Sequence, residues 1–81
     1  MTDFLEWFQE MNSHMILIGE GNNYNMMPPN QCDWMYTITR IDDKTWDVKG
    51  IKNDVFAFGP EEMHIIYKYS TNNRYWKKYI K

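Results

Sequence analysis

The chain has 81 residues, a net charge of −2, a single cysteine and 17% aromatic residues. That is enough for one domain over 1–81, with rings dense enough to fill a small core and to argue against disorder. One cysteine excludes an internal disulfide and no apolar run nears the roughly 18–20 residues of a bilayer span; the opening MTDFLEWFQEM has acids where a secretory signal has bases, so the expected location is cytoplasmic.

Residues 3–12 have the pattern of a helix, and 1–13 are assigned to it. Asp3 can cap, Glu6 follows three positions on, and Phe4, Trp7, Phe8 and Met11 form one apolar stripe. The stripe suits core packing, with partner binding as the alternative. HMILIG (14–19) reads as a buried strand. The next fourteen residues, EGNNYNMMPPNQCD (20–33), carry glycine, asparagine and two prolines and read as a long loop. Within it Met26 and Met27 either fold back over the core or offer a deformable contact surface.

WMYTITRI (34–41) and TWDVKGI (45–51) alternate in polarity. A three-residue loop at 42–44 would set Ile38 opposite Val48 and Arg40 opposite Trp46, whereas a two-residue loop would set Ile38 opposite Asp47 and break the apolar face. KND (52–54) reads as a turn, VFAF (55–58) as a short strand and GPEEM (59–63) as a single helical turn, with Pro60 and two acids where a helix begins. HIIYKYS (64–70) and RYWKKYI (74–80) are strands joined by TNN.

The order of elements over 34–69, the long loop before them and the segment VFAFGPEEMHII resemble a Src-homology-3-like barrel. The resemblance implies a mainly β (α+β) fold, an N-terminal helix followed by a small antiparallel β-barrel over 14–81, in a class that binds peptides, proteins or nucleic acids. The extra helix and last strand depart from that pattern and keep open a second architecture, a helix packed on a curved antiparallel sheet.

Chemistry-bearing constellations are sparse. His14, His64 and Cys32 lack the spacing of a metal site, Ser13 beside His14 has no nucleophile elbow, and Cys32 with His64 has no supporting local sequence. Asp42–Asp43 and Glu61–Glu62 are adjacent pairs whose side chains diverge. GEG (19–21) lacks the spacing of a phosphate loop. The expectation is a non-enzymatic protein without cofactor or metal.

Two binding surfaces are candidates. The first is the long loop and its exit: Tyr24, Met26, Met27, Pro28, Pro29 and Trp34, ring and thioether anchors for a protein partner. The second is the C-terminal strand, Arg74, Tyr75, Trp76, Lys77, Lys78 and Tyr79, whose rings and cations suit nucleic acid, although an edge strand with blocking lysines has the same composition. Residues 1–39 hold five acids and no Lys or Arg, and residues 63–81 hold five bases and no acid. Asn, Ile, Lys and Tyr, all with AT-rich codons, make up 29 residues, a composition found in small bacteriophage proteins. The expected function is protein–protein contact, as an inhibitor or regulator of a host protein.

Overall fold

A computed structural model describes residues 3–29, 34–52, 59–72 and 74–80. One helix, α1 (Phe4–Met11), precedes six strands: β1 (Ile16–Glu20), β2 (Asn23–Met27), β3 (Met35–Asp42), β4 (Thr45–Lys52), β5 (Glu61–Ser70) and β6 (Tyr75–Ile80). The strands form one antiparallel sheet in chain order, with β1 and β6 as its two edges. The fold is therefore mainly β, and of the two expected architectures the helix on a sheet is the one observed; the sheet is not closed into a barrel.

The Asp3 carboxylate accepts the Leu5 N–H at 3.1 Å and its carbonyl accepts the Trp7 N–H at 3.0 Å, starting α1. Asn12 ends it. Its backbone N–H donates to the Phe8 and Gln9 carbonyls, and its side-chain amide donates to the Phe8 carbonyl at 2.9 Å. The Gln9 amide then reaches the Asn12 and Met15 carbonyls at 3.3 and 2.9 Å. The Phe8 and Gln9 carbonyls at the helix end are thus satisfied, and the link to β1 is held so that Met15 enters the core.

Eight residues make too short a helix to persist alone in water. Packing of the apolar stripe supplies what is missing. Phe4 is fully buried, stacked on Trp46 at 5.0 Å and on Phe8 at 5.3 Å, tilted against Tyr67 at 5.2 Å, with the edge of Trp76 at 5.0 Å. Phe8 meets Tyr36 and Tyr67 edge-on. Met11, the fourth member of the stripe, lies beyond this cluster and is 61% exposed.

The inward side chains follow strand alternation: Met26, Ile38, Trp46, Val48, Ile65, Tyr67 and Trp76 are all buried. Ile38 pairs with Val48 and Arg40 with Trp46, as the alternation predicts. The loop that achieves this register is different. Asp42 pairs with Thr45, so the turn is two residues, Asp43 and Lys44, and the ladder shifts between Arg40 and Asp42. The extra residue that the apolar face requires is Ile41, taken up as a bulge in β3 rather than as a third loop residue. Asp42 accepts the Lys44 N–H at 2.8 Å, an Asx-type contact that fits the shorter turn.

Three expectations are corrected. The stretch 20–33 is not one long loop: a two-residue turn, Gly21–Asn22, joins β1 to β2 through the Glu20–Asn23 pair. Gly21 has φ +64° and Asn22 has negative φ, the pattern of a type II′ turn. Second, β1 is an exposed edge strand rather than a buried one, because only its Leu17 side points at the core. Third, 59–63 has no helical turn, because Glu61 and Glu62 pair with Lys52 and Ile51 in a ladder that continues β4. Interstrand hydrogen bonds and opposite charges facing across Lys52–Glu61 favour the strand over a solitary helical turn. The expected strand 55–58 and most of the expected turn 52–54 lie outside the described residues.

Phe4→Ala should lower the unfolding free energy by about 3–5 kcal/mol in urea titrations, whereas Met11→Ala, in the same stripe, should change it by about 0.5 kcal/mol or less. Gly19 has φ +143°, and a Cβ there would stand 2.5 Å from the Asn23 carbonyl oxygen and 2.6 Å from the Tyr24 Cα. Gly19→Ala should therefore cost on the order of 1–3 kcal/mol by the same measurement, with the loss coming from the β1–β2 hairpin.

Candidate functional site

A single short helix covers one face of the sheet. The other face carries no element among the described residues, and strand alternation decides what it presents. Ile16 pairs with Met27, Met27 stands beside Met35 one step on from the Met26–Tyr36 pair, and Met35 pairs with Ile51. These four side chains make an apolar row across β1–β4, with Ile18 beside Ile16. Ile16, Ile18, Met35 and Ile51 are each at least half exposed. A shallow depression lined by Met27, Met35, Thr37, Lys49 and Ile51 runs along the row.

Toward the other edge the same face changes character. Lys68 on β5 pairs with Lys77 on β6, and both ammonium groups approach the ring of Tyr79, at 5.5 and 5.6 Å from its centroid. Tyr75, Lys77 and Tyr79 are successive outward residues of β6. Between the two regions, His64 Nε2 and Asp47 Oδ1 are 2.5 Å apart, a diagonal pair across β4 and β5, both partly buried. At the β3–β4 turn the Arg40 guanidinium pairs with Asp43. The Asp42 carboxyl is held below its ordinary value, first by the Lys44 N–H, then by the Thr45 hydroxyl, with smaller help from Lys68 and Arg40.

The first sequence-derived set is divided between the two faces. Met26 is fully buried and Tyr24 points inward, its ring 6.1 Å from Trp46. Met27 points outward and is 39% exposed. Pro28 is half-buried and Pro29 exposed, just past β2. Trp34 is half-buried over β4, where Gly50 makes room for it: a Cβ at Gly50 would lie 3.1 Å from the Trp34 ring and 3.0 Å from Met63. So Met27 shares a surface with Met35 and Ile51, not with Met26 or Tyr24.

The second set is divided in the same way. Trp76 is 4% exposed and packs against Phe4 and Tyr69, so no base can stack on it. Lys78 shares its inward parity but remains exposed, while Tyr75, Lys77 and Tyr79 face outward. Arg74 sits in the β5–β6 turn with φ +55°, its N–H donating to the Ser70 carbonyl at 2.7 Å. Sequence reasoning missed Ile16, Ile18, Met35 and Ile51. Gly-Asn between GE and NYNMM, where polar and apolar residues alternate, is a hairpin signal that would have found β2 and aimed Met27 outward.

Ser13 and His14 are exposed at the helix exit. Asp42 and Asp43 turn to different partners, and Glu61 and Glu62 point to opposite faces of β5. Cys32 lies outside the described residues. Among the described residues no three His, Cys, Asp or Glu side chains converge, and no helix is long and apolar enough to cross a membrane. Comparison of the chain with protein families, curated proteins and solved structures finds no match.

The two neighbouring methionines should separate cleanly. Met26→Ser puts a hydroxyl and a cavity into the core and should cost about 2–5 kcal/mol. Met27→Ser should cost about 1 kcal/mol or less, since its side chain stays partly in water. Parallel denaturant titrations measure the difference, and equal costs would mean that β2 does not alternate as described.

Proposed function

We propose that this chain is a small non-enzymatic binding protein that acts by protein–protein contact in the cytoplasm, using the uncovered face of its sheet. The observation that carries the proposal is the apolar row Ile16, Met27, Met35 and Ile51 on that face. Three strand spacings make it about 14 Å wide. That is the size of an anchor cluster at the centre of an interface, with a polar rim supplied by Asn25, Thr37 and Lys49. Contiguous exposed apolar side chains on a small domain mark interaction sites more often than chance.

The occupant is a partner protein presenting a complementary apolar surface. A rigid sheet whose inner face is held by a ring cluster can block such a surface by occlusion, without chemistry of its own. The Asn-, Ile-, Lys- and Tyr-rich composition extends the proposal to a bacteriophage-type inhibitor or regulator of a host protein.

Met35→Thr combined with Ile51→Thr removes the centre of the row while keeping residues that suit strands. The double variant should melt close to the parent and lose the proteins that the parent captures from host extract. Equal capture by parent and variant overturns the proposal. So does a parent chain that sediments as a dimer and becomes monomeric in the variant, because a second copy would then be the occupant.

A further inference from the structure

We infer that the outer face of the β5–β6 hairpin is a separate site for single-stranded nucleic acid, with a backbone phosphate between Lys68 and Lys77 and bases on Tyr75 and Tyr79. The site shares no residue with the apolar row on β1–β4.

Like charges directly opposite on neighbouring strands disfavour the pairing. Lys68 and Lys77 are such a pair, and among the described residues neither makes an ion pair. The acids that face Lys68 from the neighbouring strands are Asp42 and Asp47; the Asp42 carboxylate is engaged by the Lys44 N–H and the Thr45 hydroxyl, and the Asp47 carboxylate is paired with His64 Nε2. The Tyr79 ring offsets part of the repulsion by taking both ammonium groups against its π-system. An anion bound between the two ammoniums would remove the rest.

The rings decide which anion. Tyr75, Lys77 and Tyr79 alternate outward along β6, so ring, cation and ring follow one another at about 6.8 Å. A single strand of nucleic acid laid along β6 meets that order with base, phosphate and base. Tyr75 and Tyr79 are 46% and 44% exposed, and β6 is an edge strand, so among the described residues no neighbouring strand blocks the approach. An acidic peptide would use the lysines and leave the rings idle. The surrounding field has the right sign: residues 63–81 contain no acid, and Arg74 and Lys78 add to it.

The test is a titration of fluorescent oligothymidylate of about twelve nucleotides, within the site sizes known for single-strand binders, at several salt concentrations. One phosphate held between Lys68 and Lys77 gives a slope of log K against log salt of about −0.7, and a second at Arg74 brings it to about −1.4. Tyr79→Leu should weaken binding by roughly 5- to 150-fold, while Tyr79→Phe should retain it. Lys68→Gln with Lys77→Gln should flatten the slope by about 0.7. All three positions are on the surface, and melting curves check that the variants fold. No binding at low salt overturns the inference. So does polyglutamate that competes equally well while Tyr79→Leu has no effect, since the face would then be a site for acidic protein.

Discussion

The structure depends on one ring. Phe4 enters the space between Trp46 on β4, Tyr67 on β5 and Trp76 on β6, and Phe8 stacks behind it. Each aromatic pair contributes about 0.5–1.5 kcal/mol beyond the area it buries. Four such pairs on one residue are comparable to a large part of the 5–15 kcal/mol that holds a typical domain together. Neither partner is sufficient alone. The helix is too short to persist in water, and a sheet with two uncovered faces has no core. Docking Phe4 settles both, and it settles which face of the sheet is the inside.

Once the inside is fixed, alternation fixes the rest. Period-two geometry leaves no freedom to bring sequence neighbours to the same surface. Met26 goes in and Met27 goes out; Trp76 goes in and Lys77 goes out. The bulge at Ile41 belongs to the same constraint. Without the bulge, the Asp42–Thr45 pairing would carry on to set Ile38 opposite Lys49 and Arg40 opposite Asp47, and the inward set would lose its parity with Trp46 and Val48. The sheet therefore sacrifices one ladder position at its rim to keep the core face continuous.

Much of this was legible in the residues. The capped amphipathic start of α1 and the register of β3 against β4 follow from spacing alone, because in both places the apolar period is unbroken. β2 was hidden because Asn23 and Asn25 are poor strand formers that read as loop. They are tolerated there because both face solvent on the uncovered side. β1 looked buried because Ile16, Leu17 and Ile18 are all apolar. Only the strand order, which no local pattern contains, shows that it lies at an edge. Gly59, Pro60 and two glutamates have the signature of a helix start, but pairing with Lys52 and Ile51 is a nonlocal interaction and overrides it. The candidate surfaces were misgrouped for a related reason. A stretch such as RYWKKYI shows its rings and charges, and alternation divides them into two sets, but which set meets water depends on where Phe4 docks.

A meander that keeps its strands in chain order also converts sequence position into lateral position. The bases that crowd the end of the sequence therefore cannot be folded back among the acids of its beginning. β1 and its turn carry Glu20 at one edge, and β6 carries Lys77 and Lys78 at the other. The acids of α1 reach the basic side only on the inner face, where the helix crosses from Trp76 toward Tyr36 and leaves Glu6 and Glu10 exposed to solvent. The sheet lies between them and Lys68 and Lys77 on the outer face. A chain with a net charge of only −2 thus keeps a cationic corner distinct from its apolar row. The separation follows from strand order and from the side on which one helix packs, with no added charge.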